Sequence, residues 1–257
     1  MLVKQEKMIQ GLLTRPATDE VVKPFVESAK GTLHTVDNVD INKPIACFGI
    51  LRGTGELLKQ SKEFYYFDHA YLYGNRHKPS KVSGERIYRL TKNHYHIQTI
   101  QELTDEDHER IKKYKPYIKL KPWKTNGDYI LIIAPSHFQI AYHNIGSWVD
   151  DTIKILKQHT DRPIKVRDKK SMKPLREEVQ SAYAVVSHNS AVVVDAVVNG
   201  VPVFCDKMNM GVPIGLTDFS KIEQPIKPGR LNWIYSLLAN QFTMTEIRNG
   251  TAWRKVQ

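Results

Sequence analysis

The stretch Ser187–Asp206, SHNSAVVVDAVVNGVPVFCD, decides how the rest of the chain is read. Four hydrogen-bonding residues, Ser187-His188-Asn189-Ser190, interrupt one of the most apolar parts of the sequence. Before them stands the strand-like run YAVV. After them comes a helix-like run, SAVVVDAVVNG, ending in Gly200, and then a second strand-like run, VPVFCD. Strand, polar turn, helix closed by a C′ glycine and strand are the parts of a parallel βαβ unit. Ligands of such sheets bind beyond the carboxyl ends of the strands, where the four polar residues fall. Ser190 or Asn189 would cap the helix, and the backbone N–H groups beside it would form an anion site. Ser and Asn are also the ordinary helix caps, so the cap alone carries no function.

Working outward, the same alternation continues upstream. DYILIIAPS (128–136) reads as a buried parallel strand. SWVDDTIKILKQHT (147–160) reads as an amphipathic helix with Trp148, Ile153 and Leu156 on one face. RPIKVRDK is a second strand and PLREEVQSA a short helix, with YAVVSH third and VPVFCD fourth among the strands. Strands and helices alternating at these lengths predict a doubly wound parallel sheet. Earlier in the chain, PIACFGIL is strand-like, RGTGELLKQS a glycine turn opening a helix, and EFYYFDHAYLYG an aromatic strand. Residues 76–92 read as loop and short strand, and the first 40 residues yield no clear element. KYKPYIKLKPWKTN (113–126), with two prolines and many lysines, marks a domain boundary near residue 122.

Bulk properties narrow the class. The 257 residues are 41% hydrophobic and 25% charged, as in an ordinary globular protein. No window approaches the roughly 18 apolar residues of a membrane helix, so stable membrane insertion is not expected. MLVKQEKMIQGLL carries charge where a secretory signal has its apolar run. Cys47 and Cys205 each sit in an apolar run without metal-ligand spacing, as small buried hydrophobes in a reducing, cytoplasmic compartment do. The net charge of +11 would attract polyanions. Its spread through IKKYKPYIKLKPWK and KVRDKKSMK describes a charged surface on a folded body; such basicity also serves plain solubility.

The string AYAVVSHNSAVVVDAVVNGVPVF resembles the nucleotide-sugar-binding half of GT-B glycosyltransferases, particularly the capsule- and Kdo-transferase-like group. That half runs as an apolar strand, a Ser/His/Asn-rich turn, a helix with an acidic residue and a Gly-x-Pro-Val strand. ILIIAPS and VRDKK fit its preceding elements. FGILRGTGELLKQSKEFYYFDHAYLYG and RLNWIYSLLANQFTMTEIRNGTAW are similar to small, phage-type members of the group. The resemblance spans roughly residues 45–255 and implies an α/β enzyme of two Rossmann-like lobes. The expected division is a reduced acceptor-binding lobe (1–122), a doubly wound nucleotide-sugar lobe (123–225) and a helical tail (226–257) packing back on the first lobe. It also implies transfer without a bound metal or cofactor, with inversion, from a nucleotide sugar such as a UDP-sugar. No His/Cys cluster with metal-ligand spacing is present in the sequence.

Sugar transfer needs stabilisation of the departing phosphate, a grip on the nucleoside and a base for the acceptor hydroxyl. Ser187, His188, Asn189 and Ser190 are the phosphate candidates, with Ser136 after the preceding strand and Arg167 and Lys169 after the second. Asp195 matches the group's acidic residue, which accepts from ribose hydroxyls; an unpaired acid among valines is otherwise costly. Asp68-His69 supplies the base, Asp68 acting and His69 as neighbour or phosphate contact, with their order open. Acceptor contacts are expected from Arg52, Gly53, Thr54, Tyr71, Arg76, Arg89 and Asn93, with His94 beside them. Each could instead be ordinary: a turn cap, a solvated basic face, a weak Gly-x-Gly. Trp233, Gln241 and Glu246 read as structural parts of the tail.

Three functions compete. The first is glycosyl transfer to hydroxymethylated bases of viral double-stranded DNA, extruded from the stack, and the net charge favours it. A second is transfer to a surface polysaccharide or lipid-linked glycan. The third is a non-catalytic nucleic-acid-binding protein on a degenerate scaffold of the same kind.

Overall fold

The computed structural model describes residues 8–257, so the charged N-terminal stretch Met1–Lys7 lies outside the described residues. Two units emerge, one formed by the chain up to Tyr95 together with Leu238–Gln257, the other by His96–Leu237. The expected boundary near 122 therefore moves to 95/96. The Lys/Pro-rich segment belongs to the second unit because it is tied there: Lys121 N–H donates to Val198 O and Lys124 N–H to Gly200 O. Trp123 Nε1 likewise donates to Pro228 O at 3.0 Å.

In the first unit, β1 (Gln10–Leu12), α1 (Pro16–Ser28), β2 (Thr32–His34), β3 (Ile45–Phe48), α2 (Thr54–Gln60), β4 (Phe64–His69) and β5 (Ile87–Lys92) follow in order. The second unit has α3 (Asp105–Lys112), β6 (Tyr129–Ile133), α4 (His137–His143), α5 (Trp148–Lys157), β7 (Ile164–Arg167), α6 (Leu175–Ser181), β8 (Ala182–Ser187), α7 (Val192–Val198) and β9 (Val203–Cys205). Helix α8 (Leu231–Ala239) runs across the division. β10 (Gln241–Thr243), α9 (Met244–Arg248) and α10 (Thr251–Val256) return to the first unit.

The second unit is the sheet the alternation predicted: strand order β7-β6-β8-β9, all parallel. Its central strands, YILII and AYAVVS, are buried at every residue, as strands covered on both faces must be. Ile130 and Ile132 pack with Leu156, Val186 and Phe204 beneath Trp148 and Ile153 of α5. α6 lies against β6 and β8 and against α7. The order places the topological switch between β6 and β8. Gly200 takes φ +78 as the residue after the Asn199 cap, closing α7 as foreseen. A Cβ there would stand 2.0 Å from Pro122 O.

The first unit has the order β10-β5-β4-β3-β1-β2. β2, β1, β3 and β4 are parallel, while β5 and β10 join antiparallel. Its parallel part repeats the 2-1-3-4 order, with its own switch between β1 and β3. Alternation splits the side chains: Ile45, Cys47, Phe64 and Tyr66 pack with Leu58 of α2, whereas Ala46, Tyr65 and Phe67 meet Phe25 of α1. Burying Phe25 alone is worth about 1.5–3 kcal/mol. The tail is more than a helix packed back, since β10 extends this sheet beside β5. Gln241 there accepts from Leu72 N–H at 2.7 Å and donates to Leu72 O at 3.1 Å. Glu246 completes a capping box with Thr243. Trp233 belongs to the second unit and donates to Met210 O.

Candidate functional site

At the carboxyl edge of the second unit, β6 ends in Ala134-Pro135-Ser136 and β8 in the quartet Ser187–Ser190. Ser136 is the N-cap of α4 and forms a capping box with Gln139. Ser187 is fully buried, and its hydroxyl accepts the N–H of Ser190 at 3.0 Å. Ser190, half-buried, accepts from Val192 N–H at 3.3 Å. The N-cap of α7 is Ala191, with no side-chain cap, which corrects the expectation that Ser190 or Asn189 caps that helix. The serines instead shape the turn leading into it. Asn209, itself buried, clamps this turn by donating to His188 O and Ser190 O, both at 3.4 Å.

His188 and Asn189 are different. They are 4% and 8% exposed, yet His188 Nδ1 and Asn189 Oδ1 have no hydrogen-bond partner among the described residues. Two adjacent orphaned polar atoms cost about 1–3 kcal/mol each unless a ligand or water satisfies them. The His188 ring lies 5.2 Å from that of His143 and 5.6 Å, edge-on, from Trp148. Burial lowers the His188 imidazole below its ordinary range; Asp206, at the end of β9, pulls the other way.

The remaining donor-side candidates divide. Arg167 is held by an ion pair with Glu178 and a 2.8 Å bond to Lys173 O, so its charge is already matched. Lys169 stands exposed in the turn after β7. Asp195 keeps an exposed surface on α7 between its buried valines, although atoms crowded around the carboxyl push it up from the ordinary carboxylate range. It is therefore not a carboxylate sealed among valines. His143, Asp206 and Asn209 went unrecognised in the sequence, and Trp148 was read only as part of an apolar helix face. His143 ends α4, a helix with no visible pattern, and Trp148 opens α5.

In the first unit, pairing register decides the fate of Asp68 and His69. Asp68 lies opposite Arg89, and Arg89 Nη2 donates to its carboxylate at 2.7 Å. Tyr66 OH donates to the same oxygen at 3.2 Å, and His69 N–H to the other at 2.7 Å. Successive strand residues face opposite ways, so the two side chains do not act as a pair. The His69 ring turns to Phe48 and Tyr88, at 5.5 and 6.4 Å. Burial lowers His69 first; Asp68 raises it, and Arg76, Arg89 and Arg15 push it down again.

Arg89 is buried and rests 4.9 Å over the ring of Tyr71, which is therefore its platform. The loop after β3 holds Gly49, Arg52 and Gly53 at φ +71, +63 and +85. Thr54, fully buried, ties it by donating to Gly49 O and Leu51 O. A Cβ on Gly49 would meet nothing, so this edge is open there. Arg76 is exposed in the loop after β4. Asn93 is not part of this group. Its N–H and side chain bond Phe64, at the start of β4. That end lies roughly 17 Å of strand away from His69, and His94 follows Asn93 there. Arg15, just beyond β1, joins the edge and was missed because the first 40 residues showed no element.

Both cysteines are buried and free, with thiols pushed up chiefly by burial. Among the described residues no group of three or more His, Cys, Asp or Glu stands where it could hold a metal, and no helix is long and apolar enough to cross a membrane.

No protein-family model matches the chain, and no curated protein does. Solved structures do. The chain is similar to the KpsC beta Kdo 2,4 transferase of Thermosulfurimonas dismutans at 9% identity, with a TM-score of 0.51 over 95% of this chain and 97% of that one. It is likewise similar to the KpsC beta Kdo 2,7 transferase of the same organism, at 12% identity and a TM-score of 0.55 over 96% and 99%. At such identities the likeness is one of fold, carried along nearly the whole of each chain.

Proposed function

We propose that the chain is a glycosyltransferase moving a sugar from a nucleotide-sugar donor to a hydroxyl of a saccharide acceptor. The observation that carries this reading is the orphaned pair His188 Nδ1 and Asn189 Oδ1, side by side at the β6/β8 switch point of a fold shared with two Kdo transferases. A nucleoside phosphate answers both atoms: its anionic oxygens suit the N–H of a neutral imidazole, and its ribose hydroxyls suit an amide oxygen. Ser136 and Ser190 border the same place, and Asp195 remains the candidate for ribose.

The chemistry then follows. The acceptor oxygen attacks the anomeric carbon, the bond from that carbon to the donor phosphate breaks, and its electrons go to the phosphate oxygen. The acceptor's proton needs a base, and on the first unit, taken by itself, His69 is the candidate: its lowered imidazole is neutral at physiological pH. Asp68 is the positioning residue: it neutralises Arg89 and holds the strand end. One displacement of this kind inverts the anomeric centre. The leaving phosphate is stabilised by the ring N–H of His188 and by Lys169.

The names of the structural neighbours favour a saccharide acceptor and make Kdo a sugar to include among donors. Transfer to hydroxymethylated DNA ranks second, supported by the net charge of +11 alone. Thermal unfolding with a panel of nucleotide sugars tests the reading. One member at a hundred times its Kd should stabilise the protein by about 2.7 kcal/mol. A flat response across UDP-, GDP- and CMP-sugars would remove it.

A further inference from the structure

The turn that carries the two orphaned atoms is itself held by one side chain. Asn209 lies in the loop after β9 and is fully buried. Its amide oxygen accepts the N–H of Gly211 at 2.8 Å, which fixes the plane of the group. The amide nitrogen donates to His188 O and Ser190 O, the carbonyls on either side of Asn189, both at 3.4 Å. The loop is anchored in its turn. Asn209 N–H donates to Asp206 O at 3.0 Å, Asp206 N–H to Ser187 O at 3.1 Å, and Trp233 Nε1 to Met210 O at 2.8 Å. Gly211 sits so close to α7 that a Cβ would stand 2.6 Å from Val193 Cγ1. An amide suits this place because it joins an acceptor and two donors at one planar end. Asp would still accept from Gly211 but has no donor, and Leu would satisfy none of the three backbone groups.

We propose that Asn209 is a positioning residue for the donor nucleotide. It holds the turn 188–190 in one conformation, so that His188 Nδ1 and Asn189 Oδ1 stand in place before the ligand arrives. This rests on the assignment of a nucleotide to those two atoms. The two side chains are then ordered when the chain folds and not when it binds, where ordering them would weaken affinity. Carbonyls bound to Asn209 are also not free to turn toward a phosphate, which they would repel. Asn209 acts through the turn and touches no ligand atom.

Imidazole NMR of His188, assigned with H188Q, reads the clamp on the ligand-free chain, and titration with UDP, GDP and CMP reads its effect on binding. The parent should show one sharp His188 ring signal. N209A should broaden or double that signal and weaken the nucleotide that binds the parent about tenfold, through the ordering of two side chains at binding. G211A drives the loop off α7 while leaving the Asn209 amide intact. It should move both readings the same way, and it stands in for N209A if that variant does not fold. V179A opens the buried face of α6 and should lower the urea midpoint with ring signal and affinity unchanged, which separates the clamp from general loosening. A parent that binds none of the three nucleotides removes the nucleotide reading, and the clamp is then judged by the ring signal alone. An unchanged ring in N209A and G211A, a changed ring with unchanged affinity, or the same broadening in V179A overturns the proposal.

Discussion

Replacing Asp68 by alanine separates its two possible roles. Its carboxylate accepts from Arg89 at 2.7 Å, from Tyr66 OH at 3.2 Å and from His69 N–H at 2.7 Å. The Arg89 side chain is 7% exposed and that of Asp68 28%. Breaking a fully buried pair costs about 3–5 kcal/mol, because the remaining charge is left unmatched. Water already reaches part of Asp68, so the expected loss is about 2–3 kcal/mol. That corresponds to a fall in Tm of about 5–10 °C for a chain of this size. Urea unfolding should be followed at Trp253, which packs edge-on against Phe25 and Tyr65 and so reports the first unit. D68A/R89M, which removes both charges, should recover much of the loss. If D68A unfolds within about 0.5 kcal/mol of the parent while transfer disappears, the carboxylate is the base and its positioning role is wrong.

Other expectations follow from the same geometry. H69Q should lower kcat by about 10²–10⁴ with little change in urea midpoint, as measured by nucleotide release. Gly200→Ala combines a left-handed φ, costing about 1 kcal/mol, with a Cβ 2.0 Å from Pro122 O; its urea midpoint should fall well beyond that of an exposed Gly→Ala change. His69 and His188 are both lowered in the folded state, so over the interval below about 6.5 the unfolded chain binds more protons. Stability should therefore be complete above that value and fall as pH drops through it, and H69Q or H188Q should each flatten the fall in a pH series of urea midpoints.

The second unit was legible because each of its strands is a continuous apolar run ended by a polar turn, and Gly200 marks the helix end. The first 40 residues hid β1 and β2 because each is three residues long, and α1 because Pro16 opens it and Pro24 lies inside it. Lys113–Asn126 has the composition of a linker but is pinned by backbone bonds to the end of α7, a tertiary fact that composition does not carry. At the site, residue types told where ligands bind in such sheets but not which side chains the fold consumes. Arg167 and Arg89 went to Glu178 and Asp68, and Asn93 to the far end of β4. Arg15 and His143 became visible only when strands distant in sequence came together.

The most direct test is amide hydrogen exchange with and without a saturating nucleoside diphosphate or nucleotide sugar. A ligand seated at the β6/β8 switch should slow exchange in the segments 134–136 and 187–191 and leave the far ends of those strands unchanged. Slowing confined to other segments, or none with any nucleotide, would contradict a donor site there.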